Sequence, residues 1–277
     1  MDPMLILALL AVGIGASIIG AIFGIGGGII FIPVLTVLFD LSANEAIAVS
    51  LVGIIATSTG AASYYVKAGS SNVRLGQMLG ITASLGAMVG ALLAMFVAIH
   101  LGSWFLLCLF GCVLIYSAVM MIVRKEMVNM DPEIDNDMCF TYCDEPDPAE
   151  KRYEVVNVKS GLLVSSAAGV LSSMTGVGGG TINVPLMNVH MHVPIKVSTA
   201  TSSYIIGITA FTGVVIYFIQ GELLLDYAAA IAVGALLGSF VGTRAAKMID
   251  AGPMRKYFSI LLLAVAAIIF LEAGGIL

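Results

Sequence analysis

The sequence predicts an all-α integral membrane protein of two inverted repeats, each with about five helical elements, whose Gly-rich interrupted hairpins meet near the midplane. Three observations carry this. First, 60% of residues are hydrophobic and only 10% charged, against about 25% charged in a soluble domain, and the mean hydropathy is +1.06. Second, the apolar segments run to about 20 residues, the length a helix rising 1.5 Å per residue needs to cross a hydrocarbon core of about 30 Å. The alternating strands of a membrane β-barrel are absent. Third, one stretch occurs twice. Gly24-Ile25-Gly26-Gly27-Gly28-Ile29-Ile30-Phe31-Ile32-Pro33 returns as Gly176-Val177-Gly178-Gly179-Gly180-Thr181-Ile182-Asn183-Val184-Pro185, an offset of 152. The same offset pairs Ala48 with Ala200, Ser50 with Ser202, Thr57 with Thr209, Tyr65 with Tyr217, Gly69 with Gly221, Gly86 with Gly238 and Gly90 with Gly242. The chain is two copies of one half, and function is expected where the copies meet.

In chain order, Met4 to Phe39 is one apolar run interrupted by the glycine cluster and closed by Asp40. It is too long for one straight span and predicts two arms. Apolar segments follow at about 46–65, 76–99 and 104–123, completing a first membrane repeat, 1–123. The connection 124–159 is hydrophilic: ten of the seventeen acids lie between Glu126 and Glu154. It lacks the aliphatic material for a core and is expected to be a partly ordered cytoplasmic loop. The second repeat, 160–277, then has an interrupted run over 161–189 and segments at about 197–219, 227–246 and 257–271. Glycines four apart, at Gly76/Gly80, Gly86/Gly90 and Gly234/Gly238/Gly242, predict close helix packing in lipid.

Basic residues decide the topology. If each interrupted run crossed once, the lysines and arginines would be split between both faces, against the positive-inside tendency. If each run enters and comes back, all twelve fall on one face: Lys67, Arg74, Arg124, Lys125, Lys151, Arg152, Lys159, Lys196, Arg244, Lys247, Arg255 and Lys256. Asp2, Asp40, Glu45, Glu222, Asp226 and Glu272 take the other. Five elements per half is odd, so the halves are inverted, with both termini outside and the acidic loop in the cytoplasm of a multi-pass plasma (inner) membrane protein. The start, Met1-Asp2-Pro3, has no basic n-region and reads as the first membrane element. Two equal arms of the 29-residue second run would each reach roughly 22 Å, which puts its glycine turn inside the bilayer.

Bare backbone at that depth is tolerated where it is buried in protein or lines a polar cavity. Consecutive glycines permit close approach to their N–H groups, and the arms that follow begin with unpaired N–H groups and partial positive charge, which attract anions. The expected substrate-binding residues are therefore Gly24, Gly26, Gly27, Gly28, Gly176, Gly178, Gly179 and Gly180. The hydroxyls Ser50, Thr57, Thr201, Ser202 and Thr209 are expected to line the path; Ser50/Thr57 and Ser202/Thr209 are seven apart and share a helix face. Pro33 and Pro185 are expected to kink or stiffen the return arms. No βαβ context or Gly-Lys-Ser/Thr supports a nucleotide loop, and no carboxylate lies within a predicted span to serve as a proton relay.

Of four cysteines, Cys108 and Cys112 fall on an apolar helix and read as packing. Cys139 and Cys143 sit in the connection, where a disulfide, a thiol pair or half of a metal site are open readings; two cysteines alone do not close a zinc site. No enzyme activity, cofactor, bound metal or nucleic-acid partner is expected. The partners are a small anionic substrate and the lipid bilayer, with a homo-oligomer and a coupling ion, H+ or Na+, left open.

Two copies of Gly-x-Gly-Gly-Gly with proline five residues on, each followed by a helix rich in Ser and Thr, resemble the TauE/SafE sulfite exporter family over nearly the whole chain except the acidic connection. The resemblance implies movement of sulfur-containing anions: sulfite, sulfoacetate and related organosulfonates, or thiosulfate. The motif positions it implies are Gly24, Gly26, Gly27, Gly28 and Pro33, then Gly176, Gly178, Gly179, Gly180 and Pro185. The expected function is a secondary transporter, an exporter by preference, with alternating access between inverted repeats. The alternatives are an anion channel, an importer, or a thiol or sulfur-relay protein using Cys139 and Cys143.

Overall fold

The computed structural model describes residues 3–100, 103–123, 138–144 and 147–273. The acids between 126 and 137, and the basic pair Arg124 and Lys125, lie outside the described residues. The first half holds α1 (Pro3–Phe23), α2 (Gly28–Phe39), α3 (Ala43–Lys67), α4 (Val73–His100) and α5 (Ser103–Val123). The second holds α6 (Val158–Thr175), α7 (Gly180–Pro185), α8 (Ile195–Ile219), α9 (Leu225–Lys247) and α10 (Ala251–Ala273). Six of these helices are long and apolar enough to cross a membrane, and large apolar side chains such as Leu85, Leu92, Leu237 and Val241 stand exposed on their outer faces. Such a surface is a liability in water and the ordinary state against lipid. The chain is an all-α integral membrane protein.

Local sequence sets where the helices begin and end. Ser42 and Glu45 form a capping box at α3: the Ser42 backbone N–H donates to Glu45 Oε2 at 2.9 Å, and the Glu45 N–H to Ser42 Oγ at 3.4 Å. Both α3 and α8 close on a left-handed glycine, Gly69 and Gly221. There the N–H of Ser70 reaches Tyr65 O and that of Glu222 reaches Tyr217 O, as in a Schellman ending.

The helices pair across the halves. α1 packs on α9 and α6 on α4, while α3 lies against α8 and α5 against α10. Exchanging α1–α5 for α6–α10 maps the pairing of α1 with α9 onto that of α6 with α4 and each of the other two onto itself. Glycines make the approach close. A Cβ on Gly90 would collide with Val170 O, and one on Gly242 would sit 2.5 Å from Ile18 O; these are equivalent contacts, since Gly90/Gly242 and Ile18/Val170 are both 152 apart. Side-chain-free backbone is what allows helices to meet this closely in lipid, where packing drives association. The glycine spacing anticipated these interfaces.

Each interrupted run is a hairpin of unequal arms. α1 is about 31 Å long and α2 about 18 Å; α6 is about 27 Å, and its return arm about 16 Å. Gly27 turns the chain back so tightly that a Cβ there would lie 2.9 Å from Ala16 O of α1. Pro33 sits within an unbroken α2. Pro185 instead marks a change of winding, because α7 continues directly into a π-helical turn, Leu186–His190.

The connection contains structure that its composition did not suggest. β1 (Cys139–Asp144) and β2 (Asp147–Glu154) form an antiparallel hairpin with Cys139 opposite Glu154. Tyr142 and Tyr153 insert it into a buried cluster with Leu75, Leu79, Met187, Met191 and Val197. The anchoring aromatics are few in a polar stretch, Tyr142 and Tyr153 with the partly buried Phe140 beside them, so an average over the segment hides them.

Candidate functional site

The two glycine turns come together in the protein interior, as their duplication predicted, and they touch. A Cβ on Gly28 would stand 2.6 Å from Val177 O and 2.8 Å from Gly176 O, and one on Gly180 would collide with Gly24 O. Each turn is also held by a serine of the other half. Ser50 Oγ donates to Gly176 O at 2.8 Å, and Ser202 Oγ donates to Gly24 O at 2.7 Å. These bonds are equivalent under the offset, and both serines are fully buried. Between the turns lie Ile54 and Ile206, another equivalent pair. Ile54 Cγ2 is 2.9 Å and Ile206 Cγ2 is 3.2 Å from a Cβ position on Gly26, and Ile206 Cγ2 is 3.4 Å from that on Gly178.

The remaining hydroxyls singled out in the sequence are placed differently. Thr57 Oγ1 donates to Gly53 O at 2.9 Å, and Thr209 Oγ1 to Ile206 O at 3.0 Å, so both bond to their own helices. Thr201 Oγ1 accepts the Asn72 backbone N–H at 2.9 Å. Asn72 in turn caps α4 by accepting the Leu75 N–H and passes its side-chain N–H to Tyr153 Oη at 2.8 Å. Thr201 is therefore tied to the hairpin of the connection. Burial pushes the Tyr153 phenol well above the usual tyrosine range, outweighing the hydrogen bond from Asn72.

What the turns offer chemically is backbone N–H. At the first turn the N–H groups of Ile25 and Gly26 are both satisfied by Gly20 O, at 3.0 and 3.3 Å. Those of Gly27, Gly28 and Ile29 have no acceptor among the described residues. At the second turn no N–H from Val177 to Thr181 makes a hydrogen bond among the described residues, although Ile25 O and Gly24 O of the first turn lie close to Gly178 and Gly180. Buried N–H groups without partners are rare in folded proteins, and those that converge on one point favour negative charge.

One residue escaped the sequence reading. Asn183 is fully buried on α7, and its Nδ2 lies 3.2 Å from the Cβ position of Gly179 with no hydrogen-bond partner. Its Oδ1 lies 3.2 Å from Ser165 Oγ. The signal was in the differences between the copies, since Phe31 stands where the second half has Asn183, and Gly13 where it has Ser165. The cysteines of the connection lie four residues apart on one extended strand, β1. Their Cα atoms are about 13 Å apart at the usual strand rise, outside the span a disulfide bridges.

A polytopic helical membrane protein with paired, backbone-rich turns in its interior has the make-up of a membrane transporter. The particular family follows from comparison: the chain matches the family "Sulfite exporter TauE/SafE" over residues 9–269, and it belongs to that family. It is similar to the probable membrane transporter protein YunE of Bacillus subtilis, 29% identical over 243 residues, 84% of this chain and 86% of that protein. It is also similar to YdhB of the same organism, a probable membrane transporter protein, 26% identical over 87% of this chain and 89% of that one. A probable membrane transporter protein of Haemophilus influenzae is 25% identical over 96% and 98%. No solved structure matches the chain significantly.

Proposed function

We propose that the protein is a secondary transporter that exports a small sulfur-containing anion, such as sulfite or an organosulfonate, by alternating access between two inverted repeats. The observation that carries this reading is the meeting of two glycine turns whose N–H groups outnumber their acceptors, deep in a protein of a sulfite exporter family. Gly24, Gly26, Gly27 and Gly28 with Gly176, Gly178, Gly179 and Gly180 form the binding region. Ser50 and Ser202 hold the turns in place, and Pro33 and Pro185 shape the return arms.

The reading places the basic end of the bundle in the cytoplasm, with the connection, and both termini outside. Two contacts fit that arrangement. Lys247 lies over the Tyr64 ring at 4.7 Å, joining the ends of α9 and α3. Asn44 Nδ2 donates to Glu222 Oε1 at 3.4 Å, joining the start of α3 to the connection between α8 and α9 at the acidic ends. An inside-negative potential drives an anion outward by about 2.3 kcal/mol per charge per 100 mV, so export needs no coupling ion, whereas uptake would need H+ or Na+.

The test is flux of radiolabelled sulfite, sulfoacetate and thiosulfate in proteoliposomes under an imposed potential, for the wild type and for Gly179→Ala, whose methyl presses on a side-chain amide and on no backbone. Saturable, potential-sensitive flux of one anion, lost in a variant that still elutes as a folded species, supports the reading. Non-saturating conductance would make the protein a channel. Absence of flux for all three anions would end the sulfur-anion proposal.

A further inference from the structure

The two turns share their glycines but not their surroundings. In the first, Phe31 is fully buried on the helix that follows the turn, Ile29 packs in an apolar cluster, and Gly20 O takes two of the turn's N–H groups. In the second, the corresponding positions are Asn183, Thr181 and Ser172, all buried. Gly178 has φ of +87° and Gly179 of −65°, the alternation that points successive N–H groups into one concavity. Beside it, the Asn183 amide nitrogen and Thr181 Oγ1 are buried and lack partners. Where the turns meet, the side chains of Ile54 and Ile206 and the carbonyls of Gly24, Gly176 and Val177 take the space, so a charged group centred there would lose its hydration without gaining donors.

We infer that, within the binding region formed by both turns, the oxyanion group of the substrate is held off the molecular two-fold, by the second turn's N–H groups from Val177 to Thr181 and the side-chain amide of Asn183. This rests on the anion-transport reading and refines it. Asn183 is the specificity-determining residue: Ser165, which also lies 3.1 Å from Leu79 O, sits against Asn183 Oδ1 and leaves the NH2 end toward Gly179. Every donor in this set is neutral. Such a site recognises an oxyanion by hydrogen-bond geometry and releases it more readily than an arginine pair would. The first turn, lined by Phe31 and Ile29, offers no side-chain donor.

The experiment is calorimetric titration of the purified full-length protein in lipid nanodiscs with sulfite, sulfoacetate and thiosulfate. The wild type is expected to bind at least one of them. Asn183→Leu removes one hydrogen bond to a charged group and should weaken that binding about tenfold or more. Asn183→Asp turns the donor into a second negative charge and should abolish it. Gly179→Ala, whose methyl would press on the Asn183 amide, should weaken binding without changing the fold and decides the matter if the Asn183 variants aggregate. Phe31→Leu, at the equivalent position of the first half, should bind within about twofold of wild type. The inference is overturned if the Asn183 variants titrate like wild type, as they would if the amide merely served the turn's own backbone. It is also overturned if Phe31→Leu weakens binding as much as Asn183→Leu, which would mean a symmetric site. A wild type that binds none of the three anions would remove the transport reading itself, a result distinct from either.

Discussion

The paired serines make opposite demands on sequence and structure. As isolated residues, Ser50 and Ser202 are hydroxyls in membrane helices, which commonly bond their own backbone; in the fold each reaches a glycine carbonyl of the other half. Removing either leaves a buried carbonyl without its donor, at a cost of about 1–3 kcal/mol. Ser50→Ala and Ser202→Ala should each lower the thermal midpoint in detergent measurably and by similar amounts. Thr57→Val and Thr209→Val, which lose only a bond within their own helix, should shift it less. If the threonine variants proved the more damaging pair, the cross-clamp would not be what holds the turns. Gly24 has φ of +67°, and a Cβ there meets the backbone of Thr199. Gly24→Ala should therefore fail to yield a folded protein, seen as loss of a monodisperse elution peak.

Among the elements, the hairpin β1–β2 departs furthest from expectation. It docks through Tyr142 and Tyr153 onto α4, α8 and the π turn after α7, so it bridges the two halves near the return arm that follows Gly180. Tyr153→Phe keeps the ring but loses the bond from Asn72. It should cost about 1 kcal/mol and make the connection more sensitive to protease. Because burial raises the phenol's folded-state pKa, the docked form is favoured below the unfolded value of about 10 and loses that advantage as pH rises above it. Protease sensitivity of the connection should accordingly stay flat through neutral pH and increase only in strong alkali. Replacing Cys139 and Cys143 by serine should leave anion flux unchanged; loss of flux would instead favour the sulfur-relay alternative.

For the whole molecule, the equivalence of α1 on α9 with α6 on α4 means that neither half has a complete interface of its own. Gly90→Leu, at the contact with α6, should disrupt the bundle as severely as Gly242→Leu at the contact with α1, read as loss of folded yield. Single cysteines placed at Lys151 and at Glu222 in a cysteine-free background should label from opposite sides of the membrane, with Glu222 outside. Labelling of both from one side would refute the inverted arrangement.

Sequence alone determined the membrane class, the duplication, the ten helical segments and the glycine interfaces. Each is written in local composition or in a repeat spacing, and hydropathy over 20 residues needs no knowledge of neighbours. It also marked the glycine turns as the centre, since bare backbone at membrane depth has few uses. Only the tertiary structure decided which hydroxyls brace the turns, that Ile54 and Ile206 fill the space between them, that two tyrosines dock the connection, and that Asn183 stands beside Gly179 without a partner. Those are contacts between residues far apart in the chain or on different faces. Whether a buried donor is satisfied depends on every atom around it, which no spacing along a sequence records.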